Sequence, residues 1–270
     1  MSEQADKNPT DNAMEEVITL LDVLGWKGIW RRVDNPVKCF DELLVSIKGR
    51  RNRLAKWIRE YQPNFLLGIE KDDLQLKNLN GSLEQILNLT EIQSLSDTII
   101  IRTPLAVPQQ SAKTLSDAVL NCHAFFCASS IPDAIENGMP LRGATAIGKV
   151  ISNQQKDVFV GPAVDEVASW YEKTDWIGVI LCPSAAYRYD WNGGNDFWFN
   201  YKKLPLKIET TVNHLPSLVW PLFFHDKEKK SEVINNIKSH FTKMSPIFPE
   251  FISKFENTLE YLESFLPADQ

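Results

Sequence analysis

The apolar positions of this chain fall into short dense runs and longer periodic stretches. Val17 to Leu21, VITLL, holds four apolar residues in five with a β-branched start, which predicts a central strand. Gly25 permits a tight turn, and WKGIWRRV then resumes with helical spacing. Residues 36–61 carry Val37, Phe40, Leu43, Leu44 and Ile47, then Leu54, Trp57, Ile58 and Tyr61, the stripe of an amphipathic helix with a break allowed near Gly49. Between 62 and 84 no period stands out, and NLNGS marks a turn. ILNLTEIQSLSDTIIIRT (86–103) places two apolar runs about the polar centre SLSD, which predicts a hairpin with Asp97 near its tip. A helix follows over 111–130, then the small-residue strand LRGATAIGKVI (141–151) and the short strand DVFVG (157–161). A helix over 162–173 opens with proline in its first turn, and WIGVILC (176–182) reads as another buried strand. The order β-α-α-β-β-α-β-β-α-β implies a mixed sheet covered by helices, with at least one antiparallel hairpin. A Trp/Gly/Asn-rich loop, a strand near 204–212 and two C-terminal helices, 227–243 and 247–265, complete the pattern. The expected division is a disordered polar lead-in over 1–14, a sheet domain over 15–225 and a helical extension over 226–270.

With 43% hydrophobic and 24% charged residues, the 270-residue chain has the composition of a globular protein with one large core. A net charge of −6 argues against a nucleic-acid groove as the main surface, and the basic stretch KGRRNRLAKWIR reads as a solvated helix face. Four cysteines without zinc-ligand spacing and four scattered histidines form neither a disulfide framework nor a Cys/His metal site. No apolar window reaches the length of a membrane span, and the polar, acidic N-terminus is unlike a secretory signal. The expectation is a cytoplasmic protein.

Two acids carry the chemistry. Asp22 ends the first apolar run and Asp97 stands directly before a β-branched run; each alone is an ordinary turn or cap residue. Together, fixed at the margins of sheet strands, they form the hard-oxygen pair that two divalent cations require beneath a substrate phosphate.

LLDVLGW, SLSDTIII, LRGATAIG and VGPAVDEVASWYEKTDWIGVIL, in that order and spacing, resemble the class III nucleotidyl cyclases over residues 15 to about 220. The resemblance implies a ferredoxin-like βαββαβ core sheet with helices on one face plus C-terminal helices, an α/β (α+β) fold in which 15–225 is the catalytic domain. It implies two Mg²⁺ or Mn²⁺ ions held by Asp22, Asp97 and the backbone of Val23, a triphosphate held along Val23, Leu24, Gly25 and Trp26, and a homodimer whose pockets are completed by the neighbour's helix 162–173. The departures refine it. Where purine cyclases carry an Asn and a transition-state Arg, this chain has Glu166 and Trp170, so another cation has to meet the developing charge. Arg142 is the first candidate, followed by Arg102, Lys149 and Arg188. At the base-reading positions stand Gln93, whose amide both donates and accepts, and Asp157, an approximate match. This combination resembles the bacterial pyrimidine nucleotide cyclases of the Pycsar antiphage systems. It implies a phosphorus–oxygen lyase making cyclic UMP or cyclic CMP from UTP or CTP, heard by a cyclic-pyrimidine-responsive effector. The alternatives are an adenylate or guanylate cyclase, a nucleotide-binding protein on the same scaffold without turnover, and an unrelated α/β protein with two capping aspartates.

Overall fold

The structure, a computed structural model, describes residues 13–26, 28–31, 33–61, 73–105, 112–153, 158–189, 197–201, 206–207, 215–223, 230–243 and 249–265. In chain order its elements are β1 (Ala13–Val23), α1 (Pro36–Tyr61), α2 (Asp73–Asn88), β2 (Glu91–Leu95), β3 (Thr98–Pro104), α3 (Ala112–Glu136), β4 (Leu141–Asn153) and β5 (Val158–Val160). There follow α4 (Pro162–Tyr171), β6 (Gly178–Leu181), α5 (Pro183–Ala186), β7 (Trp198–Phe199), β8 (Ser217–Leu218), α6 (Lys230–Lys243) and α7 (Pro249–Phe265).

The strands form one sheet in the order β2-β3-β1-β4-β6-β8-β7, with β5 paired to β4. β1 lies between β3 and β4 and runs antiparallel to both; β2 pairs antiparallel with β3, and β6 joins β4 in parallel. Strands β1 to β4, with α1 and α2 before β2 and α3 before β4, make a ferredoxin-like βαββαβ unit. The fold is therefore the expected α/β (α+β) one.

Thr19 bonds His123 of α3, so the face of β1 shared by Val17, Thr19, Leu21 and Val23 turns to the helices of that unit. Glu16, Ile18, Leu20 and Asp22 take the other face, which α4 crosses: a Cβ added to Gly148, opposite Glu16, would meet Ala163 Cβ at 3.5 Å. Burial on both faces explains why VITLL is nearly continuous and not alternating. Gly143, opposite Leu21, is required by close approach, because a Cβ there would stand 2.3 Å from the Leu20 carbonyl oxygen.

One set of buried polar groups is matched in a chain. Thr145 and Thr19 hydroxyls meet at 2.7 Å, Thr19 meets His123 Nδ1 at 2.8 Å, His123 Nε2 meets Thr103 at 2.8 Å, and Thr103 meets Thr90 at 2.9 Å. Such matching is what makes a polar chain tolerable in a core. Cys122, Cys127 and Cys182 are buried, which pushes their thiols up, while Cys39 in α1 is partly exposed; none forms a disulfide.

The C-terminal helices dock on this sheet. Tyr261 of α7, fully buried, donates to the Leu218 carbonyl at 2.7 Å and meets the Ser217 hydroxyl at 3.0 Å. Phe241 of α6 packs on Phe255 of α7 with ring centroids 4.3 Å apart.

Several local expectations change. α2 runs through NLNGS and through Ile86–Asn88, where a turn and a strand were expected, because Leu79, Leu83, Ile86 and Leu87 bury one helical face. α1 continues unbroken past Gly49, and among the described residues after Gly25 the segment forms a 3-10 turn, Ile29–Arg31, where a helix was expected. β1 starts at Ala13, inside the expected lead-in. Of the strand expected near 204–212, only residues 206 and 207 are described, and Leu206 makes an isolated bridge with Thr174.

Candidate active site

β1 carries Asp22 to its C-terminal end, where Asp22 pairs with Thr98 at the start of β3 and with Arg142 near the start of β4. Asp97 sits in the two-residue turn between β2 and β3, next to Ser96, whose φ is +56°. The Val23 N–H donates to the Asp97 carbonyl at 3.2 Å, tying the hairpin tip to the end of β1. Two acids 75 residues apart in the chain are thus brought side by side. Burial raises the Asp22 carboxyl above its ordinary value; the Arg142 guanidinium opposes this, and the charges of Asp97 and Glu172 add to it.

Arg142 is the cation paired with Asp22. Its Nε and Nη2 approach the same Asp22 oxygen, Oδ2, at 3.0 and 2.9 Å, and its Nη1 donates to the carbonyls of Glu172 at 3.2 Å and Thr174 at 3.3 Å. Only 12% of the Arg142 side chain and 14% of the Asp22 side chain are exposed, so solvent screens this pair weakly.

No family model matches the chain, and no curated protein matches it. Solved structures do. A bacterial light-regulated adenylyl cyclase aligns with TM-score 0.45 and 9% identity over 87% of this chain and 57% of its own, so the chain spans little more than half of that protein's length. The catalytic core of a rhodopsin-guanylyl cyclase with converted specificity, in complex with ATPαS, aligns with TM-score 0.41 and 11% identity over 76% of this chain and 95% of its own. The adenylyl cyclase CyaB from P. aeruginosa aligns with TM-score 0.40 and 9% identity over 65% and 80%.

The other residues singled out in the sequence separate into near and far. Val23 donates to Asp97, Leu24 N–H donates to the Pro140 carbonyl at 2.8 Å, and Trp26 N–H donates to the Val23 carbonyl at 3.3 Å. Three backbone donors expected to face a triphosphate are therefore already engaged within the chain. Gly25, at φ +70°, makes the turn, and Trp26 packs edge-on against Phe40 at 5.4 Å. Gln93 pairs with Ile100, itself opposite Leu20, which sets it on the same sheet face as Asp22. There it lines a cavity of about 560 Å³ together with Arg51, Glu91, Arg102 and Phe159. Asp157 lies outside the described residues.

Of the four cations considered, only Arg142 reaches Asp22. Arg102 is bound by Glu16 at 2.9 Å and Glu91 at 3.4 Å, Arg188 pairs with Glu15, and exposed Lys149 stands opposite Glu15. Lys149 and Arg188 meet Glu15, seven residues and about 23 Å along β1 from Asp22, while Arg102, opposite Ile18, turns away from Asp22 toward Glu16. Glu166 accepts from the Ser184 N–H at 2.9 Å and so links α4 to α5, while Trp170 packs on the core.

Sequence reasoning missed Tyr171 and Glu172. The Tyr171 hydroxyl lies 3.3 Å from Glu172 Oε1; burial and then the charges of Glu172 and Asp22 push its pKa up to about 12. Nothing in the string WYEK marks this, since proximity to Asp22 arises from the parallel pairing of β6 with β4.

Among the described residues no group of three or more His, Cys, Asp and Glu could hold a metal ion. Two carboxylates and a backbone carbonyl are nonetheless a donor set suited to Mg²⁺ or Mn²⁺, which take one or two carboxylates and complete their shell with water and substrate phosphates.

Proposed function

We propose that the protein is a metal-dependent nucleotidyl cyclase acting on a pyrimidine nucleoside triphosphate, UTP before CTP. The observation that carries the reading is the meeting of Asp22 and Asp97 across the β1–β3 pairing, at the end of a ferredoxin-like sheet. Asp22, Asp97 and the Val23 carbonyl would hold the divalent ions. When bound, these ions lower the pKa of the substrate 3′-hydroxyl and neutralise charge on the phosphates.

The reaction joins the 3′-oxygen to the α-phosphorus and breaks the bond from that phosphorus to the β-phosphate oxygen. Pyrophosphate leaves and the hydroxyl proton is released. The chain's own part is orientation and charge. The end of β1 and the tight β2–β3 turn fix the two carboxylates, and Arg142 brings a permanent positive charge to the place where negative charge builds on phosphoryl oxygens. Gln93, through its two-sided amide, reads the base. Exposed Leu95 at the hairpin, and Val158 and Val160 on β5, are apolar residues a second subunit would cover in a homodimer. A cyclic pyrimidine product would act as a signal for a responsive effector, as in antiphage defence.

A purine substrate is the second reading, because the Gln93 amide pairs equally well with a purine edge. One experiment separates them. Full-length protein is incubated with Mn²⁺ and an equimolar mixture of ATP, GTP, CTP and UTP, and products are identified by mass spectrometry. Cyclic UMP or cyclic CMP is expected, with Asp22→Ala and Asp97→Ala each reducing turnover at least about a hundredfold while circular dichroism is unchanged. Cyclic AMP or GMP as the main product would transfer the assignment to a purine cyclase. Nucleotide binding without any cyclic product would make this a non-catalytic nucleotide-binding protein.

A further inference from the structure

We propose that Arg142 is the resident counter-cation of Asp22, a latch that a divalent ion has to displace before the two carboxylates can act together. The inference rests on the cyclase reading of the same site and adds to it a device that sets metal affinity.

The geometry of the pair is the first ground. Two guanidinium nitrogens converge on one carboxylate oxygen, Oδ2, at 3.0 and 2.9 Å, in a place where both side chains are nearly buried. A guanidinium and a divalent ion cannot share that oxygen without close repulsion between like charges. Metal binding through Oδ2 of Asp22 therefore includes the work of parting an ion pair.

The second ground is that the latch is held from behind. Nη1 of Arg142 is anchored to the carbonyls of Glu172 and Thr174, in the turn between α4 and β6. Helix α7 pins that turn: Asn257 Nδ2 donates to the Asp175 carbonyl at 2.8 Å, Lys254 pairs with the Asp175 carboxylate at 3.5 Å, and the Ile177 N–H donates to Thr258 Oγ1 at 2.9 Å. The guanidinium is thus fixed at three points on two elements. Once parted from Asp22 it stays tethered beside the carboxylates, where a triphosphate would arrive. Glu172 supplies the next acid at hand, near enough for its charge to be felt at Asp22.

The test is titration of the full-length, nucleotide-free protein with MnCl₂, read by calorimetry or by the electron paramagnetic resonance of free Mn²⁺. Arg142→Gln removes the competing charge and is expected to bind Mn²⁺ several-fold more tightly than the wild type. Arg142→Lys keeps the charge but loses the forked contact, and is expected to fall between them. Should Arg142→Gln fail to fold, the lysine variant carries the comparison. Unchanged or weaker Mn²⁺ binding in the folded variants overturns the latch. Asp22→Asn serves as the separate control. If it abolishes Mn²⁺ binding, the metal site stands whatever Arg142 does; if it leaves binding intact, the site reading itself fails.

Discussion

His123 shows how one buried residue can set the acid limit of a protein. Both ring nitrogens meet threonine hydroxyls at 2.8 Å, so the neutral ring, with one donor and one acceptor, is fully used. Burial drives its pKa from the ordinary 6.5 down to about 3. A base depressed in this way contributes stability that is complete above 6.5, and that is lost as pH falls from 6.5 toward 3, because the unfolded chain takes up the proton first. Across that window the loss approaches about 1.4 kcal/mol per pH unit from this one group. His123→Gln, which keeps an amide donor and acceptor but cannot titrate, should show a flatter melting temperature between pH 6.5 and 4. Parallel pH profiles for variant and wild type would show that His123 is not the group responsible.

At the scale of elements, the close approach of β1 and β4 governs the site, since it places Arg142 directly opposite Asp22. Gly143→Ala would force a Cβ to within 2.3 Å of the Leu20 carbonyl oxygen and 2.8 Å of a Leu21 methyl. The expected cost is about 1–3 kcal/mol, measured by urea denaturation, with the Asp22–Arg142 register disturbed as well. A variant as stable as the wild type would mean that the strands can part freely there. The same pairing marks the limit of what the chain reveals by itself. The hairpin around Asp97 and the strand ending at Asp22 are local patterns, and both are legible in the run of apolar residues. The contact of Arg142 with Asp22 is a matter of register between strands 120 residues apart, which no local period encodes. α2 was hidden for a different reason. Asn80 and Gly81 signal a turn, yet the burial of Leu79, Leu83, Ile86 and Leu87 outweighs their poor helix propensity. Conversely, WKGIWRRV has helical spacing, but its described residues give the 3-10 turn Ile29–Arg31, a stretch too short for cooperative helix growth.

For the molecule as a whole, the C-terminal helices are part of the packing of the sheet. Tyr261 and Leu262 are fully buried, and each such side chain contributes roughly 1.5–3 kcal/mol. In a chain of this size each kcal/mol moves the melting midpoint by about 2–4 °C. A chain ending at residue 248 should therefore melt about 10 °C lower or more in scanning fluorimetry. An unchanged midpoint would make α7 an appendage. No helix among the described residues is long and apolar enough to cross a membrane.

The distribution of thiols has a practical corollary. With three of the four cysteines sealed inside and their sulfurs held protonated, Cys39 is the natural attachment point for a single fluorophore on the unmodified chain. It adjoins Phe40, which rests on Trp26 just beyond Gly25, so a dye placed there would report on the turn after Asp22 when the cations and nucleotide of the proposed reaction are added.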